Sequence, residues 1–329
     1  MDRQIIKLSI LIPAFNAGQF IARCIKSILN QDDVFDLQII IINDGSTDNT
    51  ENILASLSAQ HQCIQYYTTQ NQGVYKARNL GLSKVSGDYL WMLDADDYID
   101  ENAFKTLQQA VQKKADIDVL HCGYKQQISK NKRRTLMPPG HPYEILEGIE
   151  FLNRNDGRLY LWNNIYKTSF LRQYSFKFLA KSISLEDSLF NLQVLSKARK
   201  VMLINKPLYY YTINPNSISR TKTKAHLLKQ GQSSINVHLE TKKLRNQYQM
   251  NSKPFNIIQE RLNHSVLGFF YSLYTEKYPT DYIQYIFSLY NQEKLLPVHK
   301  NTKQLKLKLF ELSVNWKWPF ILLCKLNRV

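Results

Sequence analysis

The chain has 329 residues, 44% of them hydrophobic, and a formal net charge of +16 at pH 7, enough for one large core or two smaller ones. Four cysteines at 24, 63, 122 and 324 without C-x-x-C spacing, and seven histidines without H-x-x-x-H pairing, argue against a disulfide framework and a zinc site and read as thiols of a cytosolic protein. No apolar run reaches the roughly 20 residues of a membrane-spanning helix, and the short polar start predicts no signal peptide.

The charge is uneven. Residues 1–120 carry 10 Lys and Arg against 15 Asp and Glu, whereas residues 121–329 carry 33 against 12. A basic second half predicts attraction to lipid, nucleic acid or a phosphorylated substrate, or else a solvated cationic face.

In chain order, LSILIPAF (8–15) reads as a strand buried on both faces. FIARCIKSILN (20–30) places Phe20, Ile21, Cys24, Ile25 and Ile28 on one helical stripe. A strand over 37–44, a helix from near Asp48, a strand over 64–68, a helix from Val74 to about Lys84 and a strand over 89–94 follow. This alternation predicts βαβ units and a mostly parallel sheet. After about residue 120 the rhythm breaks. Residues 125–142 are basic and Pro/Gly-bearing, as in a loop or exposed hairpin. Residues 147–213 mix short helices with the apolar strands RLYLWNNIY and PLYYYTI, and from Thr221 onward the pattern is helical. NPNSISR, at 214–220, is the expected boundary between the two parts.

In an open parallel sheet, ligands bind beyond the carboxyl ends of the strands. The polar residues after each apolar run therefore share one rim: Pro13, Ala14, Phe15 and Asn16; Asp44 in NDGSTDN; Asn71 in QNQG, with Arg78 in the next helix; and Asp94, Ala95, Asp96 and Asp97. No G-x-G-x-x-G and no G-x-x-x-x-G-K-[ST] is present, which disfavours dinucleotide and P-loop readings. The acidic turn suits Mn²⁺ or Mg²⁺, hard cations held by one or two carboxylates plus substrate phosphates.

PAFNAGQFIARCIKSILNQ, IIINDGSTDNT, NQGVYKARNLGLSKVSGDYLWMLDADD and LEDSLFNLQVLSKARKVMLINKPLYYY resemble family 2 glycosyltransferases with the GT-A fold, over roughly residues 7–220. The resemblance implies an α/β fold, Rossmann-like, with a mostly parallel central sheet flanked by helices. Residues 1–219 would form the catalytic domain, with a nucleotide-binding half to about 120 and an acceptor-side half from about 121. Residues 220–329 would form a basic helical region.

By resemblance, Pro13, Ala14, Phe15 and Asn16 touch the nucleotide, and Asp44 binds the base or ribose. Asn71 and Arg78 contact the nucleotide or its diphosphate. Asp94 meets the ribose and Asp96 holds the metal, with Asp94 and Ala95 part of the same D-x-D turn. Asp187 is the acceptor's general base, with Glu186 as the alternative base or an orienting group. Trp162 matches an aromatic that lines the sugar pocket.

Plainer readings exist for each. Asp96 and Asp97 suit the cap of a helix starting near Glu101, with Asp97 the better candidate. Asp44-Gly45-Ser46 is a good turn in its own right. Arg78 could be a solvated helix residue. Glu186 and Asp187 suit any helix N-terminus, and Trp162 could be core. Tyr209, Tyr210 and Tyr211 are expected to pack in a strand.

Residues 301–329 mix Lys with Leu, Phe, Trp and Ile, as in an amphipathic segment on an anionic bilayer, with Pro319 interrupting any single long helix. Packing of that stripe on the catalytic domain, or a dimer contact, is the other expectation. The resemblance thus implies an inverting, metal-dependent glycosyltransferase using a nucleotide sugar, UDP-linked by expectation. Its acceptor would be a growing, lipid-linked capsule or lipopolysaccharide glycan. The enzyme would be cytoplasmic and peripheral on the inner face of the plasma membrane, with no nucleic-acid partner. A nucleotidyltransferase would need a Gly-rich basic loop near the first strand, and PAFNAGQF has only Gly18. A nucleic-acid binder would need a basic aromatic face or a recognisable module, and neither is seen.

Overall fold

Two runs of Ile and Leu lie in the middle of the sheet because every side chain on them can be buried. In the computed structural model, which describes residues 6–32, 34–113, 116–129, 132–155, 157, 159–179, 183–214, 223–276, 278–299 and 305–327, β1 (Lys7–Ala14) pairs in parallel with β2 (Asp36–Asn43). Ile10, Leu11 and Ile12 face Ile39, Ile40 and Ile41 in register, all wholly buried. β3 (Ile64–Thr68) pairs in parallel with β2, and β4 (Tyr89–Met92) with β1.

Beyond β4 the sheet becomes mixed. β9 (Asn164–Lys167) runs antiparallel to both β4 and β6 (Val119–Ser129), and β10 (Val201–Tyr211) is parallel to β6. β5 (Tyr98–Ile99) closes the order β3-β2-β1-β4-β9-β6-β10-β5. The longest ladders, β1–β2 and β6–β10, are both parallel. The basic stretch after residue 125 is a hairpin, with β7 (Lys132–Leu136) antiparallel to β6. β8 (Ile145–Leu146) adds to β10. Of the described residues of the strand expected over RLYLWNNIY, those from Asn164 onward pair in the sheet. Residues 161–163 are turn, and they carry Trp162 and Asn163 into the core.

The chain divides into two compact units, Met1–Lys181 with Glu186–Asn216, and Ser182–Leu185 with Ser217–Val329; the boundary expected near 215–220 lies outside the described residues. In the first unit the helices α1 (Ile21–Leu29), α2 (Thr50–Gln60), α3 (Val74–Lys84), α4 (Ala103–Lys113), α5 (Gly148–Arg154), α6 (Thr168–Gln173) and α7 (Glu186–Lys197) flank the sheet. α1 buries the stripe Ile21, Cys24, Ile25 and Ile28. A buried polar network ties α7 to the sheet. The Tyr166 hydroxyl donates to Asn191 Oδ1 at 2.7 Å, Asn164 Nδ2 donates to the same oxygen at 3.2 Å, and the His121 ring lies 2.7 Å from Asn164 Oδ1. Burial holds His121 down to about 4, so the ring is neutral and its Nδ1–H donates.

The second unit is helical: α8 (Lys224–Arg245), α9 (Lys253–Thr275), α10 (Thr280–Gln292), α11 (Leu305–Val314) and α12 (Lys317–Leu326). Thr223 caps α8 and Ser252 caps α9 through their side-chain oxygens. Val266, Phe270, Ile286, Phe287, Tyr290 and Phe320 form its core. The break between α11 and α12 falls at residues 315–316, where Asn315 exchanges two 2.8 Å hydrogen bonds with the Val298 backbone. Pro319 lies within the first turn of α12, where its missing N–H is tolerated. Among the described residues no helix is long and apolar enough to cross a membrane.

One glycine sets how closely α5 packs on the last turn of α7. A Cβ on Gly148, the first residue of α5, would lie 1.9 Å from the carbonyl oxygen of Leu195 in α7. Gly148→Ala is therefore expected to push α5 and α7 apart and cost about 3 kcal/mol. Urea unfolding of the variant checks this.

Candidate active site

The carboxyl ends of β1, β2, β3 and β4 carry loops that are stitched to one another. Asn16 adopts a left-handed backbone (φ 48°), and its side-chain oxygen accepts from Thr47 N at 2.8 Å and Thr47 Oγ1 at 3.3 Å. Its own N–H donates to Ser46 Oγ at 2.9 Å. The Asp48 carboxylate accepts from Gly18 N at 2.9 Å and Thr50 N at 3.0 Å. Gly45 (φ 73°) lies against the next loop, and a Cβ there would come within 2.6 Å of Asn71 N. Asp44, buried, accepts from Gln72 N at 2.9 Å and Gly73 N at 2.8 Å, which holds the loop after β3. Pro13 is half-buried and Ala14 buried, with the Ala14 carbonyl accepting from Asp44 N at 2.8 Å. Phe15 and Asn71 are exposed on the rim, Phe15 at 39%.

The acidic turn is held from β10. Tyr209 Oη donates to Asp97 at 2.6 Å and accepts from Asp94 N at 3.2 Å. Thr212 N donates to Asp97 at 2.7 Å, and Thr212 Oγ1 donates to the Asp96 carbonyl at 2.5 Å. Arg23 of α1 donates to that carbonyl at 2.6 Å, its guanidinium lying 4.9 Å from the Tyr98 ring centre. Asn214 Nδ2 donates to the Asp96 carboxylate at 3.0 Å. Asp97 therefore does not cap the next helix. α4 begins at Ala103, and it is Asp100 that accepts from Asn102 N at 3.1 Å.

Arg78 is not a solvated helix residue. Its side chain is 6% exposed, and it binds Asp94 at 3.3 Å, Glu186 at 3.3 Å and Asp187 at 2.8 Å. The guanidinium also lies 5.3 Å from the Phe178 ring centre. Glu186 and Asp187 form the first turn of α7, where the helix dipole favours negative charge. One cation among three carboxylates leaves a surplus of negative charge. Burial raises the Asp94 carboxyl, against the pull of Arg78, and Asp187 and Asp96 raise it further. Burial lifts Asp187 to about 6, with Arg78 pulling down and Glu186 pushing up. Asp97 is raised by burial and then by Asp94 and Asp96.

Asp94 and Asp96 thus offer hard oxygen donors where negative charge is in excess, which fits a divalent cation. No group of three or more His, Cys, Asp or Glu side chains able to hold a metal occurs among the described residues. The rest of an ion's coordination would come from phosphate oxygens and water, as Mg²⁺ and Mn²⁺ accept.

Trp162 does not line an open pocket. It is 2% exposed, stacked on Tyr209 at 4.5 Å and on Tyr160 at 4.5 Å, with the Tyr124 ring edge-on at 4.6 Å. Both of its faces are covered, so it offers no platform to a sugar. Tyr160 and Tyr211, the latter with its ring centre 5.9 Å from that of Trp162, are half-buried. Sequence reasoning missed Arg23, Thr212 and Asn214, and placed Tyr209 only as packing. None of them stands in a motif with the acids they hold.

Comparison with known proteins identifies the family and the fold. The family model Glycosyl transferase family 2 matches residues 9–181. "Uncharacterized glycosyltransferase EpsJ" of Bacillus subtilis is 30% identical over 239 residues, covering 69% of this chain and 68% of that one. TarS of S. aureus, solved with UDP, superposes with a TM-score of 0.71 at 17% identity, covering 98% of this chain and 91% of the TarS chain. The mannosyltransferase PcManGT of Pyrobaculum calidifontis, solved with GDP-Man and Mn²⁺, superposes at 0.52 with 13% identity, covering 98% of this chain and 86% of that one. The fold shared with these glycosyltransferases is GT-A.

Removing the shared cation tests the cluster. Arg78→Met is expected to destabilise the protein by about 3 kcal/mol near neutral pH. Without Arg78 the three carboxyls hold protons more tightly when folded than when unfolded, so stability falls as pH rises. The loss should be larger at pH 8 than at pH 5 in urea unfolding.

Proposed function

The chain belongs to glycosyl transferase family 2, and on that premise we propose an inverting transfer from a UDP-sugar to a hydroxyl of a growing, lipid-linked cell-surface glycan. That it is a glycosyltransferase follows from the family. Support for the donor comes from TarS, which was solved with UDP and with UDP-GlcNAc. The observation that carries the mechanism is Arg78, which brings Asp94 of the acidic turn and Asp187 of α7 onto one guanidinium, at 3.3 and 2.8 Å.

In this reading Pro13, Ala14, Phe15 and Asn16 line the nucleotide, with the exposed Phe15 ring available to the base. Asp44 already accepts two backbone N–H groups, and a carboxylate has about four lone-pair sites, so it can also take a base N–H or a ribose hydroxyl. Asn71, on the exposed rim, reaches the same nucleotide. Asp94 and the Ala95 backbone face the ribose and diphosphate. Asp96, with Asp94, would hold Mn²⁺ or Mg²⁺, which when bound supplies Lewis-acid stabilisation to the departing diphosphate. PcManGT, with its Mn²⁺, supports that cofactor.

Asp187 acts as general base. The acceptor oxygen attacks the anomeric carbon from the face opposite the diphosphate, its proton passes to Asp187, and the bond to the phosphate oxygen breaks. Glu186, on the same guanidinium, orients the pair. Arg78, expected at the nucleotide or its diphosphate, has its guanidinium taken up by three carboxylates, so in this reading it fixes Asp187 and keeps its proton affinity from rising further. The site would work on the cytoplasmic face of the membrane, where a lipid-linked capsule or lipopolysaccharide intermediate is exposed.

Calorimetric titration with UDP, with and without Mn²⁺, tests the donor site. Tight binding that needs the ion and is lost in Asp96→Asn is expected, and no binding to UDP under either condition sinks the UDP reading. Asp187→Asn should keep UDP affinity and lose turnover about 10²–10⁴-fold. Wild-type turnover in that variant would remove Asp187 as base. With Asp187 at about 6, and a base active only unprotonated, kcat/KM should rise with pH up to about 6 and level off above it.

A further inference from the structure

The last two helices are apolar on two faces, and only one of them is used. Val314, Phe320, Ile321 and Cys324 are buried in the helical core, from 0 to 3% exposed. Leu309 and Leu312 of α11 are each 57% exposed, and Trp316, between the helices, 66%. On α12, Trp318, Leu322 and Leu326 are 68, 58 and 66% exposed, and their spacing of four puts them on one stripe. The patch continues onto α9, where Tyr271 is 57% exposed and its ring centre lies 5.7 Å from that of Phe310. Isolated exposed apolar residues mean little, but a contiguous set of this size marks an interaction surface.

From this we infer that α11 and α12 form a docking surface for an anionic lipid bilayer, with Trp316, Trp318 and Leu322 entering the headgroup boundary. The charge around the patch is of the right sign. Lys308 and Lys325 are exposed, Lys317 lies 5.7 Å from the Trp318 ring centre, and the only acid between 305 and 327, Glu311, is turned towards His299 at 3.8 Å. Indole and phenol rings combine an apolar body with a polar edge, which suits the membrane interface. A ten-residue helix such as α12 spans about 15 Å, half of a hydrocarbon core, so these helices lie in the surface plane. The inference rests on the reading of a membrane-borne acceptor given above and names the part of the chain that reaches the lipid.

The test is sedimentation of the full chain with vesicles of phosphatidylcholine, alone or with phosphatidylglycerol. Binding to the phosphatidylglycerol vesicles that weakens with salt is expected. Trp316→Ser with Trp318→Ser should weaken it at least about tenfold and leave UDP affinity unchanged. Trp91 and Trp162 are the other tryptophans and are buried, at 0 and 2% exposure. Brominated lipid should therefore quench the fluorescence of the wild type and not of the double variant. A wild type that stays in the supernatant with anionic vesicles overturns the inference. So does a dimer in sedimentation velocity that the double substitution dissociates while vesicle binding is absent. Failure to bind UDP alongside intact vesicle binding would count against the catalytic reading alone.

Discussion

The site is organised around a single guanidinium. Arg78, buried in α3, meets carboxylates from the end of β4 and from the first turn of α7, more than a hundred residues later in sequence. Burying an arginine is costly unless it is paired and fully hydrogen-bonded. Here its partners outnumber it, so the cation is well satisfied and the acids are not. The shortfall is spread over three devices. The α7 dipole favours Glu186 and Asp187, a third of the Asp94 side chain meets solvent, and the carboxyls hold protons at higher pH than usual. A nucleotide diphosphate arriving alone would add to the negative charge. Arriving with a divalent cation, it would not, which is why the donor and its metal are read as one ligand.

The shared grip on Arg78 was not legible in the sequence, but the strand–helix frame that carries it was, and the reason is local. Apolar runs of the right length, broken every twenty residues by polar turns, fix a strand–helix alternation. In such a sheet the turn residues must share an edge. That places Asn16, Asp44, Asn71 and Asp94 together without any contact being known. The helix after Val74 and the strand over 64–68 were readable for the same reason, and the strand expected over 89–94 is found over 89–92.

What was not legible is what depends on long-range packing. Asp97 looks like a helix cap when only its neighbours are read, but Tyr209 and Thr212, more than a hundred residues away, take its carboxylate. Trp162 has the chemistry of a sugar platform, yet stacking between Tyr160 and Tyr209 is the better use of an apolar ring that can be buried. Arg23 sits on an amphipathic helix among residues that predict only a solvated face, and it acts on a carbonyl 73 positions away. In the helical unit, periodicity shows helices but not which of two apolar faces is inward.

The acidic turn and the proposed base are consequently not independent parts. The backbone of the turn is held by Tyr209 and Thr212 at the end of β10, and β10 joins the rest of the sheet through β6 and β9 while pairing directly with β5, just after the turn. α7, which carries Glu186 and Asp187, is fixed against the same strands by Asn191 and Asn164, and by the close approach of α5 at Gly148. The acidic turn and the first turn of α7 are thus held by one connected set of strands. The proposed inverting displacement requires geometric accuracy between leaving group and base. Tying the acidic turn and the first turn of α7 to one sheet would secure that accuracy through the core.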